Sequence, residues 1–78
     1  MAHEHRFYKA IVDAVKSSRL AEPFSAADIR RACPGFADNT YSHFLPKHRI
    51  GNPEGQSELF KRVSVGRYKC IRPFLYGF

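Results

Sequence analysis

Apolar residues Phe7, Ile11, Ala14 and Val15, with Tyr8 and Val12 beside them, recur at helical spacing and predict an amphipathic helix over residues 4–18. Arg6, Lys9, Asp13 and Lys16 fall on or near its other side. Ser17, Ser18 and Arg19 carry the end of the helix into a connection. Glu22-Pro23 then marks a break, because the residue before a proline avoids the helical region. A second helix is expected from Ser25, whose hydroxyl can accept an orphan backbone N–H, with Asp28 completing a Ser-x-x-Asp sequence close to a capping box. Asp28 also suits the positive end of the helix dipole, and Phe24 can staple the entry by packing inward. Ile29, Ala32 and Cys33 form the expected buried stripe, Arg30 and Arg31 point outward, and Pro34-Gly35 ends the helix.

A short turn from Pro34 to Ala37 leads to a third helix, with Asp38 or Asn39 as the expected cap. Tyr41, Phe44, Leu45 and His48 share one face by helical spacing, and Pro46 should kink this helix or end it early. Gly51-Asn52-Pro53-Glu54-Gly55 reads as a loop and as the most flexible stretch expected. The period then changes. Residues 59–63 and 67–71 are strand-like runs around Ser64-Val65-Gly66, a hairpin signal. Tyr68 and Cys70 fall on one face of the second run, Arg67 and Lys69 on the other. Phe60 and Val63 do not share parity, and a bulge would reconcile them. Pro73 ends the second strand. The aromatic tail over 73–78 either folds back over a thin core or meets a protein partner or second copy through Phe74, Leu75, Tyr76 and Phe78.

The expected fold class is therefore α+β: three helices followed by a two-stranded β-hairpin, in one domain over 1–78 with residues 1–4 frayed. The length of 78 residues fits one domain with a thin core, which leaves no material for a deep active site. No apolar run approaches the ~20 residues of a membrane span. The stretch MAHEHRFYKA is polar, without the apolar segment of a signal peptide, so the expected location is cytoplasmic. Cys33 and Cys70 make no disulfide framework and read as small buried residues.

Charge changes the picture most. The net charge is +6, and residues 40–78 hold seven basic side chains against Glu54 and Glu58 (7 − 2 = +5). Such asymmetry points to a polyanion, most often nucleic acid, with a merely solubilising basic face as the alternative. Helices two and three, joined by a four-residue turn containing glycine, form a helix-turn-helix arrangement, and a basic hairpin after it would be a wing. In FSAADIRRACPGFADNTYSHFL and LFKRVSVGRYKCI the chain resembles small bacterial winged helix-turn-helix domains. The resemblance covers roughly residues 5–72.

That resemblance implies a DNA-binding module, for instance a transcription regulator, a phage or mobile-element protein, or part of a defence assembly. With the apolar face of the third helix turned inward, Asn39, Thr40, Ser42, His43 and Lys47 are exposed, and Thr40, His43 and Lys47 share a ridge. Asn39 can read an adenine edge, and Thr40 or Ser42 a phosphate or base. Lys47 and Arg49 would anchor phosphates, while Lys61, Arg62, Arg67 and Lys69 on the wing would track the backbone or put an arginine in the minor groove. The expected partner is double-stranded DNA, read by the third helix over about 38–49 and held by the wing over about 59–71.

Other chemistry is weaker. His43 and His48 have the spacing of half a zinc site, but the cysteine half is missing, and His48 reads as an inward histidine bonded to backbone. His3 and His5 lie in a terminal stretch expected to fray. As a nucleophile Cys33 would need a nearby base in an exposed, electropositive setting, for which Arg30, Arg31 and His43 are candidates, but it reads as packed under the turn, and no phosphate loop, paired carboxylates or nucleophile elbow is present. No catalytic residue, metal or cofactor is expected. The rival class is a protein-interaction adaptor of the same fold, docking an acidic partner or larger assembly. Single-strand binding is a third class, and it requires exposed Tyr41, Tyr68 or tail rings.

Overall fold

Three helices precede an antiparallel hairpin: α1 (Ala2–Lys16), α2 (Ala26–Ala32), α3 (Asp38–Lys47), β1 (Phe60–Ser64) and β2 (Arg67–Cys70). The structure, a computed structural model, describes residues 2–52, 55 and 57–74, with side chains from Arg6 onward. This is the α+β order of three helices and a two-stranded hairpin expected from the periodicity, and it is consistent with the layout of a winged helix. Side chains of His3 and His5, loop residues Pro53, Glu54 and Gln56, and the tail residues Leu75, Tyr76 and Phe78 lie outside the described residues. No helix among the described residues is long and apolar enough to cross a membrane.

α1 begins at Ala2, so residues 2–4 extend the helix instead of preceding it. It ends in a Schellman-type turn. Ser18 adopts φ 64°, its N–H donates to the Val15 carbonyl (3.1 Å) and the Arg19 N–H donates to that of Ala14 (2.9 Å). The capping box of α2 is complete. The Ser25 hydroxyl accepts the Asp28 N–H (3.2 Å), and the Asp28 carboxylate accepts the Ser25 N–H (3.0 Å). α3 differs from expectation at its start. Its N-cap is Ala37, and Asp38 and Asn39 enter the first turn without a capping bond from that cap. Asp38 is occupied elsewhere, pairing with Arg30 at 2.6 Å. Pro46 sits in the last turn, and α3 stops one residue later at Lys47.

Phe60 lies at the centre of the core, fully buried, with rings of Tyr8 (6.0 Å), Phe24 (6.1 Å) and Phe44 (5.7 Å) around it at steep angles. Edge-to-face arrangement is the favourable one for aromatic quadrupoles. A second aromatic group joins Phe7 to Phe36, Tyr41 and Phe44, tying α1 to α3 and to the turn before it. The tyrosine hydroxyl is satisfied there: Tyr41 donates to the Cys33 carbonyl (2.5 Å) and accepts the Phe36 N–H (3.1 Å).

The hairpin pairs Phe60 with Cys70, Lys61 with Lys69 and Arg62 with Tyr68, and the register shifts at Val63 before Ser64 meets Arg67. The bulge at Val63 is present, but it does not bring Val63 inward. Val63 is half-exposed, because the extra residue leaves it unpaired beyond the edge of the core. Gly66 takes φ 71° at the turn, a conformation glycine adopts at no steric cost. One contact outside the hairpin ties it to the helices. Phe24 and Tyr68 exchange two backbone hydrogen bonds of 2.8 Å, so the segment before α2 meets β2 in a single antiparallel bridge. Glu22, next to this segment, accepts the Cys70 N–H (2.7 Å) and both terminal nitrogens of Arg72 (2.8 and 3.0 Å).

Candidate nucleic-acid interface

Parity along the hairpin decides where its charges go. Phe60, Tyr68 and Cys70 are buried on the face that meets the helices, so Lys61 and Lys69 stand on the outer face, turned away from them. Arg62 pairs with Tyr68 and belongs to the helix side, exposed near the hairpin tip. The wing therefore presents no single basic face, contrary to the expectation that Lys61, Arg62, Arg67 and Lys69 act together. Lys61 and Lys69 stand directly opposite one another, an arrangement that costs stability. Arg67 leans toward α2, where Asp28 is 3.7 Å away and Arg19 and Arg31 line the same depression.

The α3 residues behave differently. Asn39, Thr40, His43 and Lys47 line one groove of about 630 Å³ between α3 and the start of α1. Its apolar floor comes from Phe7, Phe36 and Phe44, and Arg6 faces it from α1. No carboxylate is among the described residues that line it. Helical spacing places the α3 ridge. Phe7 packing on Phe36 and Phe44 (ring centroids 4.7 and 4.9 Å) brings Arg6 beside it. Arg6 is the residue that sequence reasoning missed. It flanks a core phenylalanine in the chain, but only the pairing of α1 with α3 turns that into a place on the groove.

Individual side chains are prepared in distinct ways. His43 Nδ1 lies 3.0 Å from the Asn39 carbonyl, which makes Nδ1 the protonated nitrogen of the neutral ring and leaves Nε2 outward as an acceptor. Ser42 is exposed, yet its hydroxyl sits 3.3 Å from the carbonyls of both Asp38 and Asn39 and is spent within the helix. Arg49 is half-buried and donates from one terminal nitrogen to the carbonyls of Ile50 (3.2 Å) and Gly51 (3.5 Å), so part of its guanidinium holds the turn after α3. His48 is buried with Nδ1 2.9 Å from the Ser57 carbonyl, and its ring lies on Phe44, on the opposite side of α3 from His43. The two histidines do not face a common point. Among the described residues, no group of three or more metal-binding side chains is present.

The carboxylates of the described side chains are engaged elsewhere. Asp13 pairs with Lys9 (3.0 Å), Asp38 with Arg30, Asp28 with Arg31 and Glu22 with Arg72, while Glu58 accepts the Gly51 N–H (3.0 Å). Arg72, foremost among the causes, holds the Glu22 carboxyl below its usual range despite partial burial, and the Cys70 N–H adds to that. The Ser25 backbone N–H does the same for Asp28, followed by the Ser25 hydroxyl and the neighbouring arginines. Arg6, Lys61, Arg62 and Lys69 make no ion pair among the described residues.

Neither cysteine is suited to nucleophilic work. Burial pushes the Cys70 thiol up to about 12 and raises that of Cys33 as well. Tyr41 and Tyr68 are buried at 5% and 8% exposure, so neither of these two rings offers a surface for single-strand binding. Phe74 packs against the core, with Lys16 Nζ 5.3 Å and Arg72 Cζ 4.5 Å from its ring centre. Compared with known protein families, curated proteins and solved structures, the chain matches none.

Proposed function

We propose that this chain is a non-enzymatic nucleic-acid-binding module that takes double-stranded DNA along the outward face of α3. The observation that carries the reading is the α3 face itself: Asn39, Thr40, His43 and Lys47 on one ridge, Arg6 beside them, and no carboxylate among the described lining residues. Asn39 and His43 supply hydrogen-bonding groups of the kind that read base edges in a major groove. Lys47, Arg6, Arg62 on the helix side of the hairpin and the unengaged nitrogens of Arg49 supply phosphate contacts. Lys61 and Lys69 on the outer face contribute to the long-range field that steers DNA, not to the contact.

Titration of a labelled duplex across salt tests the reading. Four phosphate contacts give a log–log slope of roughly −3.6. Lys47→Ala and Arg6→Ala should each weaken binding to all sequences and flatten the slope by roughly 0.9. A chain that fails to bind duplex at low salt is not a DNA-binding module. An adaptor would instead retain a protein partner after nuclease treatment.

A further inference from the structure

The α1–α3 groove offers more than paired DNA can use. A duplex presents base edges and phosphates, whereas the floor of this groove is apolar, and its one partly exposed ring is Phe36, which lies over the buried rings of Phe7 and Phe44. Above that floor stand three polar groups: the Asn39 amide, the Thr40 hydroxyl and His43 Nε2. None of them makes a hydrogen bond among the described residues. Arg6 and Lys47 add two cations. The volume of about 630 Å³ lies within the range of small-ligand sites.

An apolar seat, hydrogen-bonding groups at its wall and cations beside it complement one chemical object closely. That object is a nucleobase out of its stack, with flat apolar faces, a donor–acceptor edge and a phosphate on each side. A paired base cannot enter without first being unstacked, whereas a bulged base has already left the helix.

We propose that the α1–α3 groove seats one unpaired base, so that the chain prefers DNA carrying an extrahelical nucleotide over the same duplex fully paired. This rests on the nucleic-acid reading above and narrows its substrate. The other basic cluster, Arg19, Arg31 and Arg67, supports no comparable site. Asp28 sits within it, and Arg19 is bonded to Ser17 and to the Ala32 carbonyl.

The experiment is fluorescence anisotropy of the full chain with three labelled duplexes of one sequence: fully paired, with a single-adenine bulge, and with an abasic nucleotide at the bulge. The expected result is binding about tenfold tighter to the adenine bulge than to either of the others, the scale of one base–aromatic contact. Thr40→Val, which keeps the side-chain shape, should bring that ratio toward one. Equal affinity for all three duplexes overturns the seat and leaves the duplex reading standing. Equal tightening by the adenine and abasic bulges also overturns it, since a flexible bend then explains the preference. Failure to bind any of the three removes the nucleic-acid reading together with the seat.

Discussion

Glu22→Gln removes one charge from the contact that fastens the end of β2 to the segment before α2. In the native protein the Glu22 carboxylate accepts three hydrogen bonds, from the Cys70 N–H at 2.7 Å and from Arg72 at 2.8 and 3.0 Å. A glutamine keeps one acceptor oxygen and turns an NH₂ toward either the amide or the guanidinium, so at least one donor loses its partner. Hydrogen bonds to charged groups contribute about 1.5–3 kcal/mol each. Arg72 is half-exposed at 49%, however, and solvent screens its share. The net loss is then about 1–2 kcal/mol, or roughly 4–16 °C in Tm for a domain of this size. The pH dependence has a definite sign. The folded carboxyl titrates below its ordinary value of 4.5, so its stabilisation is complete above that value and fades as pH falls through the lower folded one. Thermal melts followed by circular dichroism should show a clear Tm difference between wild type and variant at pH 7, shrinking below pH ~4.5. A difference unchanged between neutral and strongly acidic pH refutes the electrostatic origin of this contact.

Four further outcomes follow from the same geometry. Ser18 holds the left-handed C′ position of α1, so Ser18→Gly should raise stability by about 0.5–1 kcal/mol in chemical denaturation, and a loss would contradict the Schellman assignment. Both thiols are buried and raised, Cys70 up to about 12, so native protein at pH 8 should show no fast-reacting thiol with a disulfide reagent and two after unfolding. On the hairpin, Lys61→Glu places opposite charges across from one another and should stabilise the fold by about 0.2–1 kcal/mol in denaturant titration. Arg62→Ala should lower the salt slope of duplex binding by roughly 0.9, whereas Lys61→Ala leaves the slope in place; equal loss from both would put the outer face in the interface.

Much of this fold was readable along the chain, and the exceptions have physical causes. The capping box of α2 was legible because it is local, set by Ser25 and Asp28 alone. The inward set Tyr41, Phe44, Leu45 and His48 was legible because burial on one face of a helix repeats with the helix. The strand contact of Phe24 with Tyr68 was not, since a single bridge has no period to read. Asp38 read as a cap because its residue type favours that position, but its ion pair with Arg30 is a tertiary contact that leaves Ala37 at the boundary. The candidate site divided along the same line. The ridge of Thr40, His43 and Lys47 follows from helix geometry, and these three line one groove together with Asn39. The basic wing does not stay together, because strand parity sends Lys61 and Lys69 outward and keeps Arg62 on the helix side, while Arg67 reaches Asp28 of α2. Charge counted along a sequence carries no direction. Part of the +5 excess in the second half therefore faces away from α3.

The central claim is that duplex DNA meets the outward face of α3. Backbone amide resonances of isotopically labelled chain, followed while a short duplex is titrated at low salt, locate the contact residue by residue. The account predicts shifts concentrated on Asn39–Lys47, Arg6 and Arg62, with Lys61 and Lys69 little changed. Shifts centred on the outer face of the hairpin, around Lys61 and Lys69 with α3 unmoved, would contradict it.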